Sequence, residues 1–417
     1  MSVHTRRNYA LMFMDNVLFT NAMTFLSVTA VIPYFLNRLG ASAFDISLAS
    51  ALVGIGAVVS QPVFARLALR LPRKLKSFAR ILLMQRLFWL AFVLVLPWLA
   101  RADAPLTVAL FIVCWGVFNL FTGSYSPFYM SLFAKMIAEQ QRGRLRGFSG
   151  AAANAVALLS TLVIGAVLRD VPYPFNYGLL FGLGAVLLLL DALDFVCMRE
   201  PDDELSGRSA APFRYARDIP AVLRRNRPFA LMVAGFTLLV VAQAGLVYFT
   251  LYAIRVDHAT PGDIALFTAV TVGANVVGNI SLGVLADRFG HRWVMRVSSA
   301  CAALAGFTVL AAHGLGLPAV YVAFALGNLS ANGYNLSSGV LIIEHSPREQ
   351  IPVYISINVV LTLVFSSAFT LVGSALIHLF SYAAIFWVVG AAGALAYIPF
   401  HRLPKRRAAA EAESAAV

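Results

Sequence analysis

Apolar runs long enough to cross a bilayer follow one another along the chain, separated by short polar gaps. A helix needs about 20 predominantly apolar residues to span the hydrocarbon core. By that measure the spans are 9–36, 45–68, 77–100, 106–134, 147–168 and 177–198, then 228–252, 263–286, 293–312, 317–344, 353–377 and 381–400. Backbone N–H and C=O groups find no water in lipid, so every span is predicted to be a helix. The run 9–36 is too long for the core of a secretory leader and has no small-residue cleavage site, so it is expected to stay as the first helix.

The gaps sort by charge. Of the 32 Lys and Arg, all but five fall at the two termini and in every second gap. The alternate gaps hold only Arg38, Arg101, Arg169 and Arg255, and Arg86 lies inside the third span. Basic residues collect on the cytoplasmic side, which predicts an even helix count with both termini in the cytoplasm. A bacterial inner membrane is the expected location.

Composition then excludes soluble classes. The chain has 417 residues, 60% hydrophobic and 12% charged, where soluble domains run about 45–50% and about 25%. The net charge of +13 is spread through the gaps rather than gathered on one face, which argues against nucleic-acid binding. Cys114, Cys197 and Cys301 lie within apolar spans without metal-type spacing and read as small buried hydrophobes.

The longest gap divides the chain near its middle. It carries Pro201, Pro212 and Pro220, the acidic run Asp202-Asp203-Glu204, and a basic end at Arg224-Arg225. The organisation read from this is a six-helix bundle over 1–198, a cytoplasmic linker with a short interfacial helix over 199–227, a second bundle over 228–400, and a tail over 401–417.

The two halves match at an offset of 218. Arg6-Arg7-Asn8 mirrors Arg224-Arg225-Asn226, and Asp45-Ile46 mirrors Asp263-Ile264. The gap from Ala65 to Lys74 lies over that from Gly283 to Arg292, and Glu139-Gln140 pairs with Glu349-Gln350 at an offset near 210. Parallel six-helix repeats are a known transporter plan, with the solute site at the interface of the halves.

Gly283-x-Leu285-Ala286-Asp287-Arg288-x-Gly290-x-Arg292 resembles the signature loop of the major facilitator superfamily. The resemblance implies an all-α membrane fold of twelve helices in two pseudo-symmetric six-helix bundles, with the first, fourth, seventh and tenth helices lining a cavity. It also implies that Gly283, Asp287, Arg288, Gly290 and Arg292 form a cytoplasmic gate. Glycines let helix ends approach, an aspartate favours a helix N-terminus, and arginines pair with acids or phosphates. The first-half copy departs from the pattern, with Leu69 for the aspartate and Pro72 for the second glycine. The fifth span lacks the Gly-Pro signature of drug:proton antiporters. Met198-Arg199-Glu200-Pro201-Asp202 is unlike the sequence that follows the sixth helix in sugar porters.

Polar residues in lipid are costly unless they face a cavity or a partner. Asp15 is an acid within the first span, and Asn16, Thr20, Thr24 and Ser27 follow it at helical spacing. The corresponding residues of the seventh span include Val233 and Ala234, so this polarity is not demanded by the scaffold. Asp15 is therefore the candidate proton carrier. Asn119, Ser126, Tyr125 and Tyr129 in the fourth span, Gln243 in the seventh, and Asn328, Asn332, Tyr334 and Asn335 in the tenth are candidates for the solute pathway; amides of this kind also join helices to each other. Arg86 requires an acid, with Asp15, Asp191 and Asp194 available in the same half.

No phosphate loop, paired catalytic carboxylates or metal cluster stands in the sequence, and no cofactor is expected. The reading is a secondary transporter, not an enzyme, that moves a small organic solute by alternating access. It is coupled to protons, leans to export, and works as a monomer in the bilayer. The rival readings are a proton-coupled uptake symporter and a transporter-like receptor or scaffold without flux.

Overall fold

The computed structural model describes residues 3–71, 73–201, 215–346 and 351–403. Pro72, Asp202-Asp203-Glu204, Glu349-Gln350 and the tail from 404 lie outside the described residues, as do the side chains of Leu69, Ser126, Glu139 and Gln140. Most of the described residues are helical, and there is no strand among them.

The first eight helices are α1 (Val3–Phe25), α2 (Val31–Arg38), α3 (Ala43–Arg70), α4 (Leu75–Ala102), α5 (Ala104–Thr122), α6 (Tyr125–Met136), α7 (Glu139–Asp170) and α8 (Phe175–Cys197). The helix expected in the linker is α9 (Tyr215–Arg225). The rest are α10 (Arg227–Ala244), α11 (Leu246–Arg255), α12 (Pro261–Phe289), α13 (His291–Leu310), α14 (Ala312–Leu315), α15 (Leu317–Glu344), α16 (Ile351–Leu379) and α17 (Tyr382–Arg402). Two compact units result: Met1–Ala210 with Ile254–Val272, and Ala211–Ala253 with Gly273–Val417.

Among the described residues, ten helical stretches are long and apolar enough to cross a membrane. Two further long helices, α1 and α15, fall short of that apolarity. They are the helices that carry Asp15 with Asn16, and Asn328 with Asn332 and Asn335. Together the twelve account for every predicted span. Large apolar side chains such as Trp98, Leu162 and Ile280 stand more than 60% exposed, which suits a surface facing lipid rather than water.

Three spans expected to be continuous are broken. The run 9–36 parts between α1 and α2, 106–134 at Gly123 and Ser124, and 228–252 at Gly245. Gly245 lies 218 positions after Ser27, so the first and seventh spans break at the same place in the repeat. Hydropathy records the solvent, not the continuity of the helix. Ser27 and Thr29, whose hydroxyls lie 3.3 Å apart, compete locally for hydrogen bonds in the first break.

The repeat matches have physical causes. Ser42 and Asp45 close a capping box at the start of α3, with Asp45 N–H donating to Ser42 Oγ at 3.1 Å and Ser42 N–H to Asp45 Oδ2 at 2.9 Å. Thr260 and Asp263, 218 positions on, do the same for α12: Thr260 N–H donates to Asp263 Oδ2 at 2.7 Å and Asp263 N–H to Thr260 Oγ1 at 3.4 Å. Each box satisfies backbone donors that the first helical turn leaves without partners. Asn8 Nδ2 donates to the Arg199 carbonyl at 2.7 Å, and its counterpart Asn226 donates to the His345 carbonyl at 2.9 Å.

In the first unit α1 packs against α7 and α8, α4 against α8 and α5, and α3 against α5. In the second, α13 packs against α15 and α17, and α10 against α17, α16 and α15. Glycines permit close approaches in both. A Cβ on Gly56 of α3 would lie 2.6 Å from the carbonyl carbon of Asn119 in α5, and one on Gly278 of α12 would lie 2.9 Å from the amide of Asn332 in α15.

Candidate functional site

Asp15 lies mid-way along α1 and is 2% exposed. It stands where α1, α4, α6 and α8 converge. Its Oδ1 accepts from the Tyr125 hydroxyl of α6 at 3.2 Å, and Tyr129 and Asp191 stand beside it as well. Tyr125 is held by aromatic neighbours: it stacks on Tyr129 at 5.2 Å and meets Phe19 at 5.3 Å and the edge of Phe78 at 5.7 Å.

Arg86 of α4 and Asp191 of α8 form a buried ion pair, Nη2 to Oδ2 at 2.7 Å, with neither side chain more than 1% exposed. The sequence left Asp15, Asp191 and Asp194 open as its partner, and the geometry selects Asp191. The other guanidinium nitrogens are also used. Nε donates to the Leu188 carbonyl at 3.3 Å and Nη1 to the side-chain oxygen of Gln85. Gln85 Nε2 in turn donates to the Phe118 carbonyl at 2.6 Å. Asp191 Oδ1 accepts no hydrogen bond from a described residue.

The cluster thus holds one cation and two carboxyls. Unpaired charge in a low-dielectric interior costs several kcal/mol, and one carboxylate is enough to neutralise Arg86. The second carboxyl is neutral only when it holds a proton, so the arrangement offers a place to take up and release one.

The other candidates divide between contacts within each unit and open faces. Asn16 Nδ2 donates to Ser149 of α7 at 2.9 Å. The Thr24 hydroxyl bonds the Thr20 carbonyl at 3.0 Å, and Thr20 is half-buried. Asn119 donates to the Trp115 carbonyl at 2.8 Å and is packed by Gly56. Asn328 donates to the Phe324 carbonyl at 2.8 Å, Asn332 meets Gly278, and Asn335 is exposed. Tyr334 accepts from Asn358 Nδ2 at 3.2 Å. Gln243 keeps a buried Nε2 with no acceptor among the described residues.

Sequence reasoning missed two features here. Asn21 also joins α1 to α7, accepting from Ser160 at 2.9 Å; its polarity beside Thr20 on the Asp15 helix was a usable signal. Asp191, named in the sequence only as a possible acid for Arg86, is also part of the Asp15 cluster.

The signature loop has its own geometry. Asp287 and Arg288 are exposed and Gly283 is half-buried. Gly290 has φ 87 and ψ 161, a region open essentially to glycine alone. It turns the chain from α12 into α13. Arg292 Nε donates to the Phe400 carbonyl at 2.9 Å and its Nη2 to the His401 carbonyl. Arg296 reaches the same two carbonyls at 3.3 Å. Arg292 and Arg296 therefore cap the C-terminal end of α17, where a helix favours cations.

A family model described as Major Facilitator Superfamily matches residues 16–260 and 256–416. Among solved structures, a D-xylose-proton symporter is similar with a TM-score of 0.72 at 15% identity, over 97% of this chain and 98% of that one. The nucleoside transporter NupG gives 0.71 at 11%, over 96% and 100%. A bacterial homologue of the iron transporter ferroportin gives 0.70 at 14%, over 97% and 99%. No curated protein sequence matches the chain. The helices, the paired repeat and a family model spanning both halves make this chain a multi-pass transport protein that belongs to the Major Facilitator Superfamily.

Proposed function

We propose that the chain is a proton-coupled secondary transporter of a small organic solute, with Asp15 as the coupling residue. The observation that carries the reading is the buried cluster of Asp15, Asp191 and Arg86. With one proton the cluster is neutral, and without it the cluster bears a net negative charge. A site that changes charge with one proton, on a helix implied to line the cavity, is what coupling requires. The half-buried amide and hydroxyl groups of Gln243, Asn16 and Thr20, with Tyr125 and Tyr129, favour a neutral or amphipathic solute over a multiply charged one.

The same reading keeps two halves, 1–198 and 228–400, joined by the linker 199–227. It places the termini in the cytoplasm of a bacterial inner membrane and takes the monomer as the working unit.

A thermal-shift screen of metabolites and amphiphiles on purified protein identifies the solute, and proteoliposomes then measure its flux. The reading expects accumulation driven by an imposed proton gradient, and the sign of the gradient that drives it gives the direction. Binding without counterflow would instead mark a receptor or scaffold.

A further inference from the structure

Beside the contact between α4 and α8 the surface opens into a cavity of about 630 Å³. Arg73 lines it from just before α4, Lys76 and Arg80 from the start of α4, and Arg199 from just beyond α8. All four are exposed. Glu200, the acid on this wall, is occupied elsewhere: it accepts from the Leu75 backbone N–H at 2.8 Å and from Lys135 at 3.1 Å. The side chains of Lys76 and Arg80 make no hydrogen bond or ion pair with a described residue. The second unit treats its cations differently, since Arg292 and Arg296 at the start of α13 are spent on the carbonyls that end α17.

The remainder of the wall is apolar, including Leu83 and Val196. The same two helices continue away from the cavity with lipid-type side chains outward: Met84 and Leu87 on α4 are 63% and 52% exposed, and Leu193 on α8 is 42% exposed. A cationic pocket therefore sits at the end of an apolar strip on two membrane-crossing helices. We propose that this cavity binds the phosphate headgroup of an anionic phospholipid, with the acyl chains lying along the α4–α8 strip. Arginine and lysine together hold a phosphate through charge-assisted hydrogen bonds, and basic pockets between membrane helices recognise anionic headgroups in this way. The apolar strip is what separates a lipid from other anions, because a soluble phosphate or an acidic segment gains nothing from it. The rival occupant is the acidic run Asp202-Asp203-Glu204, which follows in the chain.

The test is native mass spectrometry of the full-length protein in an equal mixture of phosphatidylglycerol and phosphatidylcholine. The proposal expects retained phosphatidylglycerol in clear excess. Lys76→Gln with Arg80→Gln lowers that preference by about thirtyfold, while Lys76→Arg with Arg80→Lys keeps it. Both positions are exposed, so unchanged elution and melting temperature serve as the folding control, and Arg80→Gln alone gives a smaller loss in the same direction. Equal retention of the two lipids by the wild-type protein overturns the proposal. So does an excess of phosphatidylglycerol that appears only after Asp202, Asp203 and Glu204 are neutralised, or its displacement by equimolar inorganic phosphate.

Discussion

Arg86 and Asp191, 105 positions apart in the sequence, meet at 2.7 Å in a setting where neither is exposed to solvent. Asp15 stands against this pair without being needed to neutralise it. Single and double substitutions therefore behave non-additively. Asp15→Asn leaves the ion pair in place and keeps an amide oxygen that can accept from Tyr125, so its cost stays within about 0.5–1.5 kcal/mol. Asp191→Asn leaves Asp15 to supply the carboxylate. The double variant strands Arg86 and is destabilised by about 3–5 kcal/mol beyond the sum of the singles. Unfolding of the purified protein in detergent measures this, and additive losses would contradict the shared role.

The loop between α12 and α13 makes a separate prediction. Gly290→Ala places a Cβ in backbone space reserved for glycine and costs about 1–3 kcal/mol. Arg292→Ala leaves the Phe400 and His401 carbonyls to Arg296 alone and costs about 0.5–1.5 kcal/mol. Arg292→Lys recovers only part of this, because a lysine lacks the planar fork that reaches both carbonyls. Thermal unfolding of the three variants checks the order.

Arg255 holds the segment Ile254–Val272 to the first unit. Its Nε donates to Asn37 Oδ1 at 2.9 Å and its Nη2 to the Ala41 carbonyl at 2.8 Å. Asn37 and Arg255 are separated by 218 positions, the offset of the repeat itself. Arg255→Ala is expected to raise amide hydrogen exchange at residues 37–41 and 255–260 several-fold, with exchange in α4 and α8 unchanged. Equal protection in the variant would show that the contact carries no local stability.

The fold was legible because lipid imposes a single demand, an apolar span of sufficient length; ten stretches met it in full, and α1 and α15 met it in length while their polar residues lowered their apolarity. The repeat was legible at Asp45 with Asp263 and at Asn8 with Asn226 because caps and end-to-end hydrogen bonds keep their residue types. The breaks at Ser27 and Gly245 were not legible, since a short interruption scarcely alters the apolarity of a span. For the site, the sequence gives Asp15 its burial and Arg86 its need for an acid. It does not reveal that α1, α4 and α8 converge on one point, and so it could not choose Asp191 over Asp15 or Asp194. Asn119 and Asn332 were legible as pathway candidates by their polarity alone; that each also lies against a glycine of the neighbouring helix was not, because polarity in a span does not announce what packs beside it.

The central claim is that Asp15 carries the coupling proton. The direct measurement compares wild-type and Asp15→Asn protein in proteoliposomes, using the solute found by thermal shift, with flux driven by a proton gradient and, separately, by solute counterflow. The account predicts that Asp15→Asn folds, retains counterflow and loses gradient-driven flux. Full gradient-driven flux by a folded Asp15→Asn protein would contradict it.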